Sequence, residues 1–292
     1  RASADMRGRW WGRGLLLLLL ALLQACSAVQ IGYRQAPNLG YWWLDSQFNL
    51  SSEQADPVRE ALQQLQRWHR EQELARYADL LAQVQTLSAR EVDAGQVCKV
   101  WTQVNDGLQR LAGQSVRQLA PLALQLQPKQ LRHLARHWDK ANADWNREWL
   151  EGSASQRLAR RLDKAAARYS DFYGSLSEKQ MGLLRAQLQA SAWNPAWGQQ
   201  DRQRRQQLLM GALQSLQAPG TTVAQAEAAL LAVWQQWLVA PGEADRRVQQ
   251  ALVQQTCQNL AELHNSTSAE QRQRAARRLR AYEQDLRELA GR

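Results

Sequence analysis

The strongest constraint on the fold is a recurring piece of punctuation: a hydroxyl residue, two variable positions, then Glu or Gln. Ser51-Ser-Glu-Gln54, Ser88-Ala-Arg-Glu91, Ser177-Glu-Lys-Gln180, Thr222-Val-Ala-Gln225 and Ser268-Ala-Glu-Gln271 all fit. In a capping box the hydroxyl accepts from the N3 amide, and the Glu or Gln accepts from the N-cap amide, so the letters mark helix starts. Gln127-Pro128-Lys-Gln130 is a variant with proline at the first helical position, where a missing N–H is no loss. Between these marks the apolar residues step by three and four. Val97, Trp101, Val104, Leu108 and Leu111 form one stripe, and Leu131, Leu134, Trp138, Ala141 and Trp145 a second. Leu158, Leu162, Ala165, Tyr169 and Phe172, then Ala275, Leu279, Tyr282, Leu286 and Leu289, make two more. Each is one face of an amphipathic helix and is expected to bury itself against a neighbour. No window alternates with period two, so the chain reads as an all-α, multi-helix bundle. Six starts, with further breaks at Gly152, Asn194-Pro195 and Pro241-Gly242, predict eight or nine helices. Pro57 is expected to kink the first of these, or to shift its cap to Asp56.

The amino terminus follows a different grammar. Arg7, Arg9 and Arg13, after a start placed at Met6, precede the apolar run Leu15 to Leu23 and then Gln24-Ala25-Cys26. A membrane-spanning helix needs about 20 apolar residues, roughly twice this run. A positive leader, a short apolar stretch and a small residue before the cut are the signature of a secretory signal peptide. Leu23, Ala25 and Cys26 resemble the lipobox of bacterial lipoproteins, with Gln24 bulkier than usual there. That resemblance implies cleavage before Cys26, diacylglycerol on its sulfur and acylation of the freed amine. Two or more acyl chains anchor stably where one does not. Ser27, rather than aspartate, after the cysteine favours the outer membrane. The expected organisation is a signal peptide over 1–25, a lipidated segment over 26–50 and an all-α domain over 51–292 facing the periplasm.

The chain carries a net charge of +10, of which +3 lies in the leader (four arginines and Asp5) and +7 on the remainder. Such a surface is drawn to anionic lipid or an envelope protein. The arginines are spread through RLARRLDK (157–164) and QRQRAARRLR (271–280) as solvated helix faces, so no nucleic acid is expected. In an oxidising compartment Cys98 and Cys257, the two cysteines left after Cys26, read as a disulfide. No phosphate loop, dinucleotide glycine pattern or nucleophile elbow is present in the sequence. His133 and His137 stand at zinc-binding spacing, but Leu134 occupies the place where a zinc protease carries its glutamate, and no metal or other cofactor is expected. Asp139, Asp144 and Glu148 cluster along the same helix without defining an acid/base pair, so the expectation is a non-enzymatic protein.

Leu50-Ser-x-x-Gln54, Leu126-Gln-x-x-Gln130 and Leu176-Ser-x-x-Gln180 resemble the L-T-x-x-Q turns of small helical periplasmic chaperones and stress sensors. That likeness implies, as the alternative function, binding of unfolded polypeptide or lipid. Cys26-Ser27, Ile31-Gly32-Tyr33 and Tyr41-Trp42-Trp43-Leu44-Asp45, with Leu263-His264-Asn265-Ser266-Thr267 leading to Tyr282 and Asp285-Leu286, resemble a family of uncharacterised proteobacterial lipoproteins. This second resemblance implies location and fold and supplies no activity. Tyr41, Trp42 and Trp43 are the candidate membrane or docking aromatics, since indole rings favour the headgroup boundary. The competing reading, which we carry forward, seats Trp42 and Trp43 at the base of the core with Asp45 capping locally. The tryptophans at i,i+3 or i,i+4, Trp145 with Trp149 and Trp234 with Trp237, are likewise expected to pack the core rather than line a groove.

Overall fold

The computed structural model describes residues 28–291, so the leader 1–25 and Cys26 lie outside the described residues. Among those described there are twelve α-helices and no strand. They are α1 Ala28–Arg34, α2 Ala36–Phe48, α3 Ser52–Gln72, α4 Leu74–Ser88, α5 Ala94–Ala123 and α6 Pro128–Trp149. The second half comprises α7 Ala154–Tyr173, α8 Glu178–Gln189, α9 Pro195–Ser215, α10 Val223–Leu238, α11 Glu243–Asn265 and α12 Ala269–Ala290. None of these helices is long and apolar enough to cross a membrane.

Boxes close where the letters put them at Ser51, Gln127, Ser177, Thr222 and Ser268. Asn194 and Gly242 start α9 and α11, and a Ser153–Gln156 box completes the break at Gly152. Ser88 is a correction. It is the last residue of α4, its hydroxyl donates to Gln85 O at 2.8 Å, and Asp93 with Gln96 caps α5 instead. An N-cap needs extended backbone; Asp93 has it (φ −99°, ψ 165°), whereas Ala89, next after Ser88, is still helical. Pro57 does not displace the cap, because the Ser51 box holds and α3 runs through the proline to Gln72. The expected eight or nine helices become twelve because α1 and α2 precede Ser51 and because Glu73 divides α3 from α4.

The thirty-residue α5, about 45 Å long, is the axis of the molecule, contacting α3, α4, α10 and α11, while α12 lies along α4. Near its C-terminal end Ala120 and Ala123 join Leu126, Leu131, Leu134 and Leu213 in the core, and on another side Gly107 receives the Tyr77 ring of α4. At the α3–α4 joint the buried Glu73 accepts from Arg110 Nε and Nη2 at 2.7 and 2.8 Å, which holds its carboxyl below the usual range. Cys98 and Cys257 are bridged, joining α5 to α11. The Trp101 stripe of α5 is a second correction: Trp101, Val104 and Leu108 are 45%, 38% and 43% exposed, so that face opens onto space instead of onto a helix.

The box glutamines also join helix starts far apart in sequence. Gln54 Nε2 donates to Gln130 Oε1 and Gln130 Nε2 to Gln54 Oε1, at 3.2 and 2.8 Å. Each Oε1 also takes its own N-cap amide, and each Nε2 reaches a backbone carbonyl of the partner's junction, Gln125 O or Asn49 O. Gln180 and Gln271 repeat the arrangement in the second half, at 2.8 and 3.1 Å, with Ser266 O and Ser175 O as the outer acceptors.

Candidate groove lined by tryptophan

The α5 face that opens is one wall of a groove of about 1720 Å³ between α2, α5, α6, α9, α10 and α11. Seven of the eleven tryptophans that follow Cys26 line it. Trp43 comes from α2, Trp101 from α5, Trp138 and Trp145 from α6, and Trp237 from α10. Trp193 and Trp197 flank the α9 cap, where Asn194 Oδ1 accepts from Trp197 N at 2.9 Å; this cap sets both rings against the same wall.

Three of these indoles are held by their neighbours. Trp197 Nε1 donates to Asp245 Oδ1 (2.9 Å) and Trp237 Nε1 to Arg205 O (3.2 Å). Trp193 meets Trp149 edge-on at 5.6 Å between centroids and lies against Gly198, where a Cβ would come within 3.0 Å of the indole nitrogen. The Arg161 guanidinium sits 5.0 Å from the Trp193 centroid, giving the rim a cation–π contact, and burial lowers its pKa. Between the rings run amides and charge. Arg202 Nε donates to Asn142 Oδ1 at 2.7 Å, and Asp201, the one carboxylate on the lining, is paired with Arg204 and Arg205 at 2.5 and 2.7 Å. Flat apolar rings alternating with side-chain amides and a surplus of guanidinium suit a long, amphipathic ligand better than a compact polar one.

The sequence candidates divide. Trp42 and Trp43 are 63% and 62% exposed, so neither plugs the core; Trp43 belongs to the groove and Trp42 faces solvent. Tyr41 lies under the Arg59 guanidinium at 3.9 Å, and Asp45 accepts from Leu50 N at 2.9 Å, closing the end of α2 as expected. His133 and His137 are clamps on α2: His133 Nε2 donates to Ser46 O at 3.1 Å, and Gln47 Nε2 donates to His137 Nε2 at 2.9 Å. No group of three or more metal-binding side chains occurs among the described residues. Asp144 and Glu148 pair with Arg147 and Lys164. His264 and Asp285 hold the structure together. His264 Nε2 donates to Arg90 O (2.9 Å) and takes the Tyr173 hydroxyl on Nδ1 (3.0 Å), burial keeping its pKa low, while Asp285 accepts from Gln30 of α1. The groove itself was missed because helical spacing shows that Trp138 and Trp145 share a face with Leu131 and Leu134, but not that the face passes from core to open space along its length.

No curated protein and no solved structure matches the chain. A family match does cover residues 46–237, beginning one residue after the Tyr41-to-Asp45 motif and ending on the groove residue Trp237. The chain belongs to DUF6279, a family of unknown function.

Proposed function

We propose that this chain is a lipid-tethered, non-catalytic binding protein of the bacterial envelope. Acyl groups on Cys26 hold it at the outer membrane, and the helical domain, facing the periplasm, receives an elongated amphipathic ligand along the indole groove. The observation that carries the reading is the convergence of seven tryptophans on one open groove. The tether rests on the short leucine run and the lipobox letters. Exposed Ile31, Leu39 and Trp42, within 16 residues of Cys26, support contact with the headgroup boundary, where indole is favoured. The cationic surplus supports an anionic lipid or envelope protein as neighbour.

A second reading, capture of unfolded polypeptide, is favoured by Gln109, Gln235 and Gln236 on the groove, whose amides can pair with an extended main chain. Titration of the full chain with the apolar dye N-phenyl-1-naphthylamine tests the groove. Trp138→Ala is expected to weaken dye binding by about tenfold, the worth of roughly 1.4 kcal/mol, while Trp68→Ala, outside the groove, leaves it unchanged. Equal binding by both variants and the parent would overturn the proposal. Suppression of aggregation of a reduced, unfolded client, lost in Trp138→Ala, would favour the polypeptide reading.

A further inference from the structure

Beside the groove, between α2, α3, α5, α9 and α10, lies a chamber of about 410 Å³, within the range of spaces that hold small molecules. Apart from Gln54 and Ser115, its walls are hydrocarbon and aromatic. Leu44, Phe48, Leu108, Leu209 and Trp237 face both chamber and groove, so the two adjoin. Both polar residues are already committed: Gln54 to its pairing with Gln130, and the Ser115 hydroxyl to Leu111 O at 2.8 Å. One polar atom on this lining is left over. Trp234 Nε1 is buried and its N–H has no acceptor.

Native proteins rarely leave a buried donor unpaired, and a half-open hydrocarbon cleft of this size leaves apolar surface that gains by being covered. An occupant that answers both must be mostly alkyl and must present one acceptor oxygen. Its polar end must emerge into the groove, where Arg202 has no ion pair among the described residues. We propose that the chamber holds the single acyl chain of a fatty-acyl amphiphile, whose carbonyl oxygen accepts from Trp234 Nε1–H. This deepens the reading of the groove as a ligand-binding surface and rests on it.

Calorimetric titration of the purified full chain with myristate, myristoyl lysophosphatidylglycerol and tetradecane tests the assignment. Trp234→Phe keeps the ring and removes the donor, and is expected to weaken both acyl ligands about tenfold while leaving tetradecane unchanged. Ala112→Leu, which fills the chamber from α5, is expected to weaken all three at least tenfold and to spare dye binding to the groove. The same loss for lysolipid as for myristate points to the chain and its carbonyl as the common determinant. Tighter binding of the lysolipid, lost in Arg202→Gln, would identify the headgroup-bearing form as the ligand. Failure of the parent to bind myristate, or undiminished myristate binding in either chamber variant, overturns the acyl assignment. Because the dye titration with Trp138→Ala is read independently, that failure is distinct from failure of the groove. Should Trp234→Phe misfold by circular dichroism, Ala112→Leu decides alone.

Discussion

Gln54 and Gln130 show how much one side chain can do when every hydrogen-bonding position is used. Each amide caps its own helix, meets its counterpart 76 residues away and secures a backbone carbonyl of the other junction. Truncating one partner leaves the other buried and short of a bond, so Gln54→Ala is expected to cost about 1–3 kcal/mol. A urea-denaturation double-mutant cycle should find coupling between Gln54 and Gln130 and none between Gln54 and Gln271, which belongs to the other pair. The capping role of these glutamines was legible because it acts over three residues. Their pairing was not, since the same letters at Thr222 and Gln225 close a box without any such partner. Glu73 is the opposite case. Nothing local marks it as a joint, and what stabilises a buried carboxylate there is Arg110, 37 residues downstream.

Among the elements, α5 reads differently on its two sides. At Gly107 the helix has no side chain where the Tyr77 ring of α4 sits against it, while Trp101 and Leu108 carry large apolar side chains onto the groove. Two glycines of this helix make the asymmetry measurable. At Gly107 a Cβ would lie 2.8 Å from the Tyr77 ring, whereas at Gly113 nothing stands within 4 Å. Gly113→Ala is therefore expected to stabilise the protein by about 0.5–1 kcal/mol through the entropy of the unfolded chain. Gly107→Ala should destabilise it by about 1–3 kcal/mol as the tyrosine is forced aside. Urea midpoints for the two variants should move in opposite directions. Periodicity alone points the wrong way here. It identifies the larger, more apolar stripe of Trp101 and Leu108 as the buried face, because it registers side-chain chemistry and not how closely another helix can approach.

For the molecule as a whole, the disulfide is, among the described residues, the one covalent tie between distant parts of the chain, joining residues 159 apart. In the chain-entropy picture a loop of that length contributes up to about 5 kcal/mol. The double variant Cys98→Ala/Cys257→Ala should lose stability toward that upper figure in urea, with the parent matching it once a reductant is added. The pairing was legible on the expectation of export, which leaves Cys98 and Cys257 few alternatives; what the bond encloses was not. Six of the seven groove indoles, from Trp101 to Trp237, fall inside the ring it closes. A protease that nicks a turn anywhere in that interval therefore yields two pieces that stay attached, with the binding walls still held side by side, and only a thiol donor would let them part.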